Sequence, residues 1–378
     1  MIHKINHKFL AAVSILVGTV IGAGILGIPY VVSQSGFLIG AAWIVILGIV
    51  ILITNLYLGE IALRTKKDHQ LPGYAGKYLG KTGRIIMLAA AIFGFYAALL
   101  AYLVGEGESF SSLFFGHVNY ALYFGIAFWL ALTWFIYHGY DALKKGESVG
   151  VAVLLLLILA ISIGFAPDIS LENLKYINYS NLMIPFGVIL FALLGFSVLP
   201  ELEKVLGKDK KNLMKKSIIW GTLIPIVVYL IFALVVVGFL GGGINEIATL
   251  SLGKFFVLLG IFTMFTSFLA LSFALRDTLI WDLKISKFKA WLFTAVVPLI
   301  LYFLVMFCGF ATFSTILSIG GTLSGGVMGI LILLMVRNAK KYGDDKPAYS
   351  IPYMWPLIIL FILLFIAGIV FDLWHLFG

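Results

Sequence analysis

Charged side chains are scarce in this chain of 378 residues. Only 11% are Asp, Glu, Lys or Arg, and 62% are hydrophobic. Soluble globular proteins carry about 25% charged residues, so this shortage excludes a soluble domain. The composition predicts a membrane protein for which lipid replaces water as the main solvent.

Cysteine and catalytic motifs are nearly absent as well. Cys308 is the only cysteine, which excludes an intrachain disulfide, and the six histidines form no His-Glu-x-x-His motif. A Gly-x-Ser-x-Gly pattern at 146–150 lies in a short charged loop rather than on the strand–turn–helix of a hydrolase. The Gly-x-Gly-x-x-Gly pattern at 22–27 lacks the preceding strand of a dinucleotide site. We predict neither an enzyme nor a bound cofactor.

Long apolar runs are what the chain has in abundance. A bilayer-spanning helix needs about 20 apolar residues, and eleven runs in the chain reach or approach that length. We therefore predict an all-α polytopic membrane protein with eleven spans. Numbered in chain order, these spans are 9–33, 37–63, 84–105, 119–138, 148–166, 181–200, 216–240, 252–275, 290–307, 310–336 and 353–374.

The basic residues are sorted by loop. With the N-terminus placed inside, only Lys175 and Lys254 of the 26 Lys and Arg residues lie on the outer side. Cytoplasmic loops of membrane proteins carry the excess of basic residues, so we predict a cytoplasmic N-terminus and, with eleven spans, an external C-terminus. The net charge of +9 therefore reflects membrane topology, and no nucleic-acid partner is expected.

Two spans contain residues that break helices. Backbone groups freed inside a bilayer need protein or water as partners, and paired interrupted spans in two halves of a chain indicate a transporter with inverted repeats. Freed N–H groups attract a carboxylate, and freed carbonyls attract an ammonium group or a sodium ion. The alternative for span 1 is close helix packing through Gly18 and Gly22. The breaking residues are Gly18, Gly22, Gly24, Gly27 and Pro29 in span 1, and Pro185, Gly187, Gly195 and Pro200 in span 6.

Several of these segments resemble a known family. GTVIGAGILGIPY (18–30) and FALLGFSVLPEL (191–202) resemble spans 1 and 6 of the amino acid–polyamine–organocation superfamily. FTSFLALSFALRDTLIWDL (265–283), PGYAGKYLG (72–80) and YAALLAYLVGEGES (96–109) are similar to its amino acid/auxin permease branch, especially the bacterial hydroxy and aromatic amino acid permeases. The resemblance implies the leucine-transporter (LeuT-type) fold. In that fold a core over 1–336 contains two inverted repeats, about 9–166 and 181–336, and span 11 at 353–374 is additional.

The resemblance also implies a substrate site at the two breaks. Phe191 occupies the place of an aromatic gate over the substrate, and Tyr102 or Tyr96 on span 3 would approach from the side. Ordinary packing is the alternative for both tyrosines. The backbone and side chains implied to touch the substrate are Ala23, Gly24 and Ile25 in span 1, and Phe191, Ala192, Leu194 and Gly195 in span 6.

A coupling-ion site is implied beside span 8. Thr266 and Ser267 match a Thr-Ser pair that binds sodium in sodium-coupled relatives, with carbonyls near Gly18 and Ile21 as further ligands. Hydroxyls bonded back to their own helix are the alternative. Proton-coupled permeases share the TSFL segment, whereas the span-5 lysine of some proton-coupled relatives is missing from 148–166. We expect sodium as the coupling ion, with a proton as the alternative.

We single out four glutamates inside or beside the predicted spans. Ionisable residues in a membrane are candidates for function. Glu60 and Glu201 are expected to pair with basic residues near the inner surface or to act in gating, with proton carriage as the alternative. Glu106 and Glu108, near the outer end of span 3, are candidates for proton binding or for a solvated loop edge.

Together these patterns predict a secondary active transporter. Its partners would be a neutral, perhaps hydrophobic or aromatic, amino acid, a coupling ion and the lipid bilayer of the cell membrane. An uncoupled exchanger or facilitator shares the same fold. An amino-acid-sensing receptor is a further alternative, although no loop is long enough to form a signalling domain.

Overall fold

The protein is a bundle of long apolar helices. The computed structural model describes residues 2–66, 69–138, 155–156, 158–207 and 212–377, without the side chains of 2–6, 23, 259 and 377. Within these ranges nine helices are long and apolar enough to cross a bilayer, and a pair bent by 47° is a tenth candidate. The predicted all-helical membrane fold is therefore confirmed. Part of predicted span 5, residues 148–154 and 157, lies outside the described residues.

The helices follow the predicted order. Their bounds differ from the predicted ones mostly by a few residues, because polar residues at the membrane surface continue a helix that hydropathy alone would end. Span 1 comprises Ile2–Val20, a 3-10 turn at Ala23–Gly27 and Ile28–Ser35, and span 6 comprises Ile184–Leu193 and Leu199–Leu206. The others are Phe37–Leu63, Leu71–Phe115, Ala121–His138, Ile158–Asp168 as the described part of span 5, Met214–Leu240, Lys254–Trp281, Lys287–Cys308, Phe313–Tyr342 and Trp355–Phe377.

Span 3 differs most from its predicted bounds. It begins at Leu71 rather than at residue 84, and the chain kinks at Gly80, whose φ of 76° is outside the helical range. Apolar residues among the lysines of 66–82 predict a short amphipathic helix at the inner interface. The structure has a helix from Leu71, continuous with span 3, and buries Leu71, Tyr74 and Tyr78 in the protein. Glycine tolerates the positive φ that an L side chain disfavours, so helical structure resumes directly after the kink.

A buried ion cluster joins spans 2 and 10 near the predicted inner surface. Glu60, 2% exposed, accepts hydrogen bonds from Arg64 at 2.9 Å and from Lys340 at 2.6 Å. Its carboxylate also accepts bonds from the Ser350 hydroxyl and the Ile351 backbone N–H, at 2.8 and 3.0 Å. These bonds fix the segment before span 11 to the bundle. Asp344, which lies outside the spans, accepts a hydrogen bond from the Lys77 ammonium. This bond holds the pKa of the Asp344 carboxyl below its ordinary value.

Candidate functional site

Span 1 loses its α-helical hydrogen bonding at Gly22. The first helix ends at Val20, Gly22 is extended (φ −101°, ψ −160°), and a 3-10 turn follows. The Gly22 N–H bonds to the Val20 carbonyl at 2.9 Å rather than to the carbonyl of Gly18. The Gly18 carbonyl thus loses its helical donor in this part of the chain. The break predicted from the glycines lies at the expected place.

Span 6 is interrupted just after Phe191 and Ala192. Its first helix ends at Leu193, and Leu194 is extended (φ −67°, ψ 123°). Gly195 follows, and then a 3-10 turn at Phe196–Val198 leads into the second helix. The backbone groups on either side of Leu194 and Gly195 are therefore released from the helix.

The two breaks touch each other at Gly24. A Cβ atom built on Gly24 would lie 3.0 Å from the Cα of Ala192 and 3.1 Å from Cδ1 of Phe191. A Cβ on Gly195 would lie 2.8 Å from a methyl group of Val20. Ile25 is fully buried at this junction. Gly24, Ile25, Phe191, Ala192 and Gly195 therefore come together as the resemblance implies, although the side chain of Ala23 lies outside the described residues.

Tyr229 of span 7 ties the two breaks together. Its hydroxyl lies 2.7 Å from the Val20 carbonyl and 2.8 Å from the Ala192 carbonyl, and the side chain is fully buried. The hydroxyl has one proton, so the two carbonyls share a single donor. Sequence reasoning missed this residue, because nothing in the local pattern of span 7 distinguishes it from a packed aromatic side chain.

Tyr102 and Ser267 lie beside the break of span 1. A Cβ on Gly22 would be 3.5 Å from the Ser267 hydroxyl and 3.7 Å from the Tyr102 hydroxyl, and these two hydroxyls interact. Tyr96, the other tyrosine considered on span 3, points instead to span 9, where it bonds to the Phe293 carbonyl at 3.3 Å. The structure thus places Tyr102, but not Tyr96, at the break.

Thr266 and Ser267 differ in their surroundings. The Thr266 hydroxyl donates to the Thr263 carbonyl of its own helix at 3.0 Å, which was the alternative to ion binding. That bond leaves the oxygen lone pairs of Thr266 able to bind a cation. Ser267 lies at the break. The first helix of span 1 ends there, close in sequence to the Gly18 carbonyl and the buried Ile21. Within the described chain, no group of three or more His, Cys, Asp or Glu side chains could hold a metal ion.

Two carboxylates of span 3 follow Tyr102 towards the C-terminal end of the helix. Glu106 follows Tyr102 by one helical turn, is fully buried, and has no hydrogen-bond partner on either carboxylate oxygen among the described residues. Glu108 is partly buried and interacts electrostatically with Glu246 and Tyr302. Glu246, in the loop before span 8, accepts a 2.8 Å bond from the backbone N–H of Ser314. Glu106, Glu108 and Glu246 therefore form an acidic group on the C-terminal side of Tyr102.

The other two candidate carboxylates have different surroundings. Glu60 is held in the ion cluster with Arg64 and Lys340. Glu201 is exposed on the second helix of span 6. The three atoms nearest to a Cβ on Gly24 belong to Ala192 and Phe191.

Comparison with known proteins gives a match along almost the entire chain. The sequence profile of the tryptophan/tyrosine permease family matches residues 5–375. Glutamine transporter 2 of Aliivibrio fischeri is 25% identical over 315 residues, which are 78% of this chain and 81% of that protein. Tyrosine-specific transport system 1 of Haemophilus influenzae is 30% identical over 235 residues, which are 60% of this chain and 57% of that protein. Amino acid transporter AVT1H of Arabidopsis thaliana is 25% identical over 268 residues, 67% and 60% of the two chains.

These matches test the resemblance that the sequence motifs indicate. They confirm the resemblance to the amino acid/auxin permease branch and the prediction of a transporter rather than an enzyme. Because the profile covers nearly every residue, the chain belongs to the tryptophan/tyrosine permease family of amino acid transporters.

Proposed function

We propose that this protein is a secondary active transporter that carries a neutral, preferably aromatic, amino acid together with a cation. The junction of the two breaks carries this proposal. Released backbone N–H groups can bind the carboxylate of an amino acid, and released carbonyls such as that of Gly18 can bind a cation. The Gly18 carbonyl lies at the end of the first helix of span 1, and Gly24 of the same break meets Ala192 of span 6.

The side chains at the junction support the choice of substrate. Ile25, Phe191, Ala192 and Leu194 offer apolar surface, and Tyr102 adds an aromatic ring with a hydroxyl group. Such walls suit an aromatic or hydrophobic side chain better than a charged one. The similarity to a tyrosine-specific system and to a glutamine transporter makes tyrosine, tryptophan and glutamine the first amino acids to test.

We propose alternating access as the transport mechanism, with spans 1–5 and 6–10 as two inverted repeats and span 11 outside them. The interrupted spans 1 and 6 would then occupy corresponding positions in the two repeats. Direct packing of Gly24 on Ala192 means that substrate entry requires the two breaks to separate. A rocking motion of one group of helices against the other supplies such a separation.

Uptake into proteoliposomes tests this function. The purified protein should accumulate at least one of labelled tyrosine, tryptophan and glutamine above its external concentration when a sodium or a proton gradient is imposed. Counterflow without accumulation under either gradient would identify an uncoupled exchanger or facilitator. Binding without any movement across the membrane would favour a receptor.

For the coupling ion, we propose sodium bound by the Thr266 and Ser267 hydroxyls with the carbonyls near Gly18 and Ile21. Hydroxyl and carbonyl oxygens are hard neutral ligands that suit this ion. Replacing both residues, Thr266→Ala with Ser267→Ala, should abolish the rise in melting temperature that sodium produces in the wild type by mass action. Thermal unfolding in increasing sodium chloride, with choline chloride at equal ionic strength, measures this response.

The matched control is Thr278→Ala. Its hydroxyl also bonds to a carbonyl of span 8, that of Ala274 at 2.8 Å, but three turns away from Ser267. This variant should keep the sodium response. If choline stabilises the wild type as well as sodium does, and uptake follows only a pH gradient, the sodium site is wrong. The unpaired carboxyl of Glu106 supports a proton as the alternative, and Glu106→Gln would then abolish uptake driven by the pH gradient.

We propose a cytoplasmic N-terminus and an external C-terminus, in accord with the sorting of basic residues. A cysteine added after Gly378 in a Cys308→Ala background should react in intact cells with a maleimide that cannot cross the membrane. A cysteine placed at Ser286, in the loop between spans 8 and 9, should react only after the membrane is opened. The reverse labelling pattern would overturn this orientation.

A further inference from the structure

Span 11 carries one buried acidic side chain. Most of its apolar side chains face the outside of the bundle, including Leu360, Leu363 and Val370, whereas Asp372 is only 8% exposed. Oδ2 of Asp372 accepts hydrogen bonds from the Ser318 hydroxyl at 2.9 Å and from the Thr322 hydroxyl at 2.8 Å. A carboxylate at membrane depth costs free energy, so it is a candidate for function.

The two donors flank the start of an irregular turn. Span 10 changes from α-helix to π-helix at Gly320–Gly326, directly after Ser318, and Thr322 lies inside the π-helical segment. A π-helical turn is less stable than α-helix and occurs frequently at functional sites. The Thr322 hydroxyl also lies 3.0 Å from the Ser318 carbonyl, so the carboxylate and this carbonyl share its single proton. The carboxylate therefore bonds to both hydroxyls at the point where span 10 changes from α-helix to π-helix.

The glycines of this π-helical segment pack directly on span 6. A Cβ on Gly321 would lie 2.7 Å from the backbone nitrogen of Phe191, and one on Gly320 would lie 3.3 Å from the Phe191 ring. A Cβ on Gly325 would lie 2.6 Å from a methyl group of Leu194. The glycines thus allow span 10 to form the surface against which Phe191 and Leu194 rest.

Span 6 also approaches the carboxylate itself. A Cβ on Gly187 would lie 2.7 Å from Oδ2 of Asp372. One glycine of span 6, two hydroxyls of span 10 and one carboxylate of span 11 therefore meet at a single buried point. A substitution of Asp372 would therefore change the packing surface on which Phe191 lies.

We propose that Asp372 is a positioning residue for substrate binding. It holds the π-helical turn of span 10 through Ser318 and Thr322, and this turn sets the places of Phe191 and Leu194 at the break of span 6. The proposal rests on the proposed function, in which these two side chains touch the amino acid. In this proposal Asp372 is not a ligand of the substrate, and its effect passes through span 10.

Substrate affinity of the purified protein in nanodiscs tests the proposal. The probe is the labelled amino acid that the wild type accumulates in the uptake panel. Asp372→Leu should raise its Kd and the KM of uptake about tenfold, because loss of the acceptor takes this partner from the Ser318 hydroxyl and leaves the Thr322 hydroxyl bonded only within its own helix, which frees the turn from span 11. Asp372→Asn keeps a carbonyl oxygen for both donors and should stay within about threefold of the wild type. Leu363→Ala, on the exposed face of the same helix, is the matched control and should change neither value.

A double-mutant cycle separates positioning from simple stabilisation. Combining Asp372→Leu with Thr322→Val should raise Kd by less than the product of the single effects, because both remove the same bond. A lower melting temperature with an unchanged Kd in Asp372→Leu would overturn the proposal. If Asp372→Leu fails to fold, Thr322→Val decides, and a wild-type Kd in that variant would overturn it equally. Absence of binding or uptake by the wild type, in contrast, would overturn the proposed function.

Discussion

Gly24→Leu should abolish amino acid binding while leaving a folded protein. The Cβ alone would approach the Cα of Ala192 to 3.0 Å and the Phe191 ring to 3.1 Å, so even alanine is tight at this position. The rest of a leucine side chain would force the two breaks apart and cover the backbone that we propose binds the carboxylate. We expect a loss of affinity of more than about 100-fold, equivalent to roughly 3 kcal/mol.

Gly22→Ala is the matched control for this variant. Gly22 has an extended backbone that other residues adopt readily. Its Cβ would meet no atom closer than the Ser267 hydroxyl at 3.5 Å, an ordinary contact distance. This variant should bind the substrate within a few-fold of the wild type. Equilibrium binding with size-exclusion profiles as a check of folding measures both variants, and retained affinity in Gly24→Leu would remove span 1 from the site.

The breaks in spans 1 and 6 could be predicted because their cause is local. Glycine and proline weaken a helix wherever they occur. They are frequent around Gly22 and Gly195, where an uninterrupted membrane helix requires neither residue. The sequence also predicts that these breaks meet if the spans pair. The membrane fold follows from hydropathy for the same reason, since every run long enough to cross a bilayer must be helical.

Other features depend on partners distant in the chain. The segment GGTLSGG of span 10 looks like a flexible helix, and its π-helical geometry at Gly320–Gly326 becomes understandable only with Asp372 and Phe191 beside it. The mean hydropathy of span 11 stays high despite Asp372, so hydropathy alone does not single out this residue. Tyr229 is one of 17 tyrosines, and no periodicity indicates that its hydroxyl reaches a carbonyl 209 residues away. Such contacts are set by tertiary packing and not by local propensity.

Tyr229→Phe should reduce transport strongly without loss of the fold. The hydroxyl is the donor shared by the carbonyls of Val20 and Ala192, at 2.7 and 2.8 Å, and so it links the break of span 1 to that of span 6. Phenylalanine keeps the ring and its packing but leaves both buried carbonyls without this donor. An unsatisfied buried group costs about 1–3 kcal/mol. We expect uptake, measured as kcat/KM, to fall between about tenfold and about 100-fold.

The control must lose an equivalent hydrogen bond elsewhere, and Tyr57→Phe does so. The Tyr57 hydroxyl donates to the Pro352 carbonyl at 2.8 Å, and its side chain is 1% exposed, but it lies beside the segment before span 11 and not at a break. Both variants should lower the melting temperature, because each removes one buried bond. Only Tyr229→Phe should lower kcat/KM as well, since only that bond joins the two segments that must separate and rejoin in each transport cycle. Equal losses of stability with wild-type uptake in both variants would show that Tyr229 supports the fold alone.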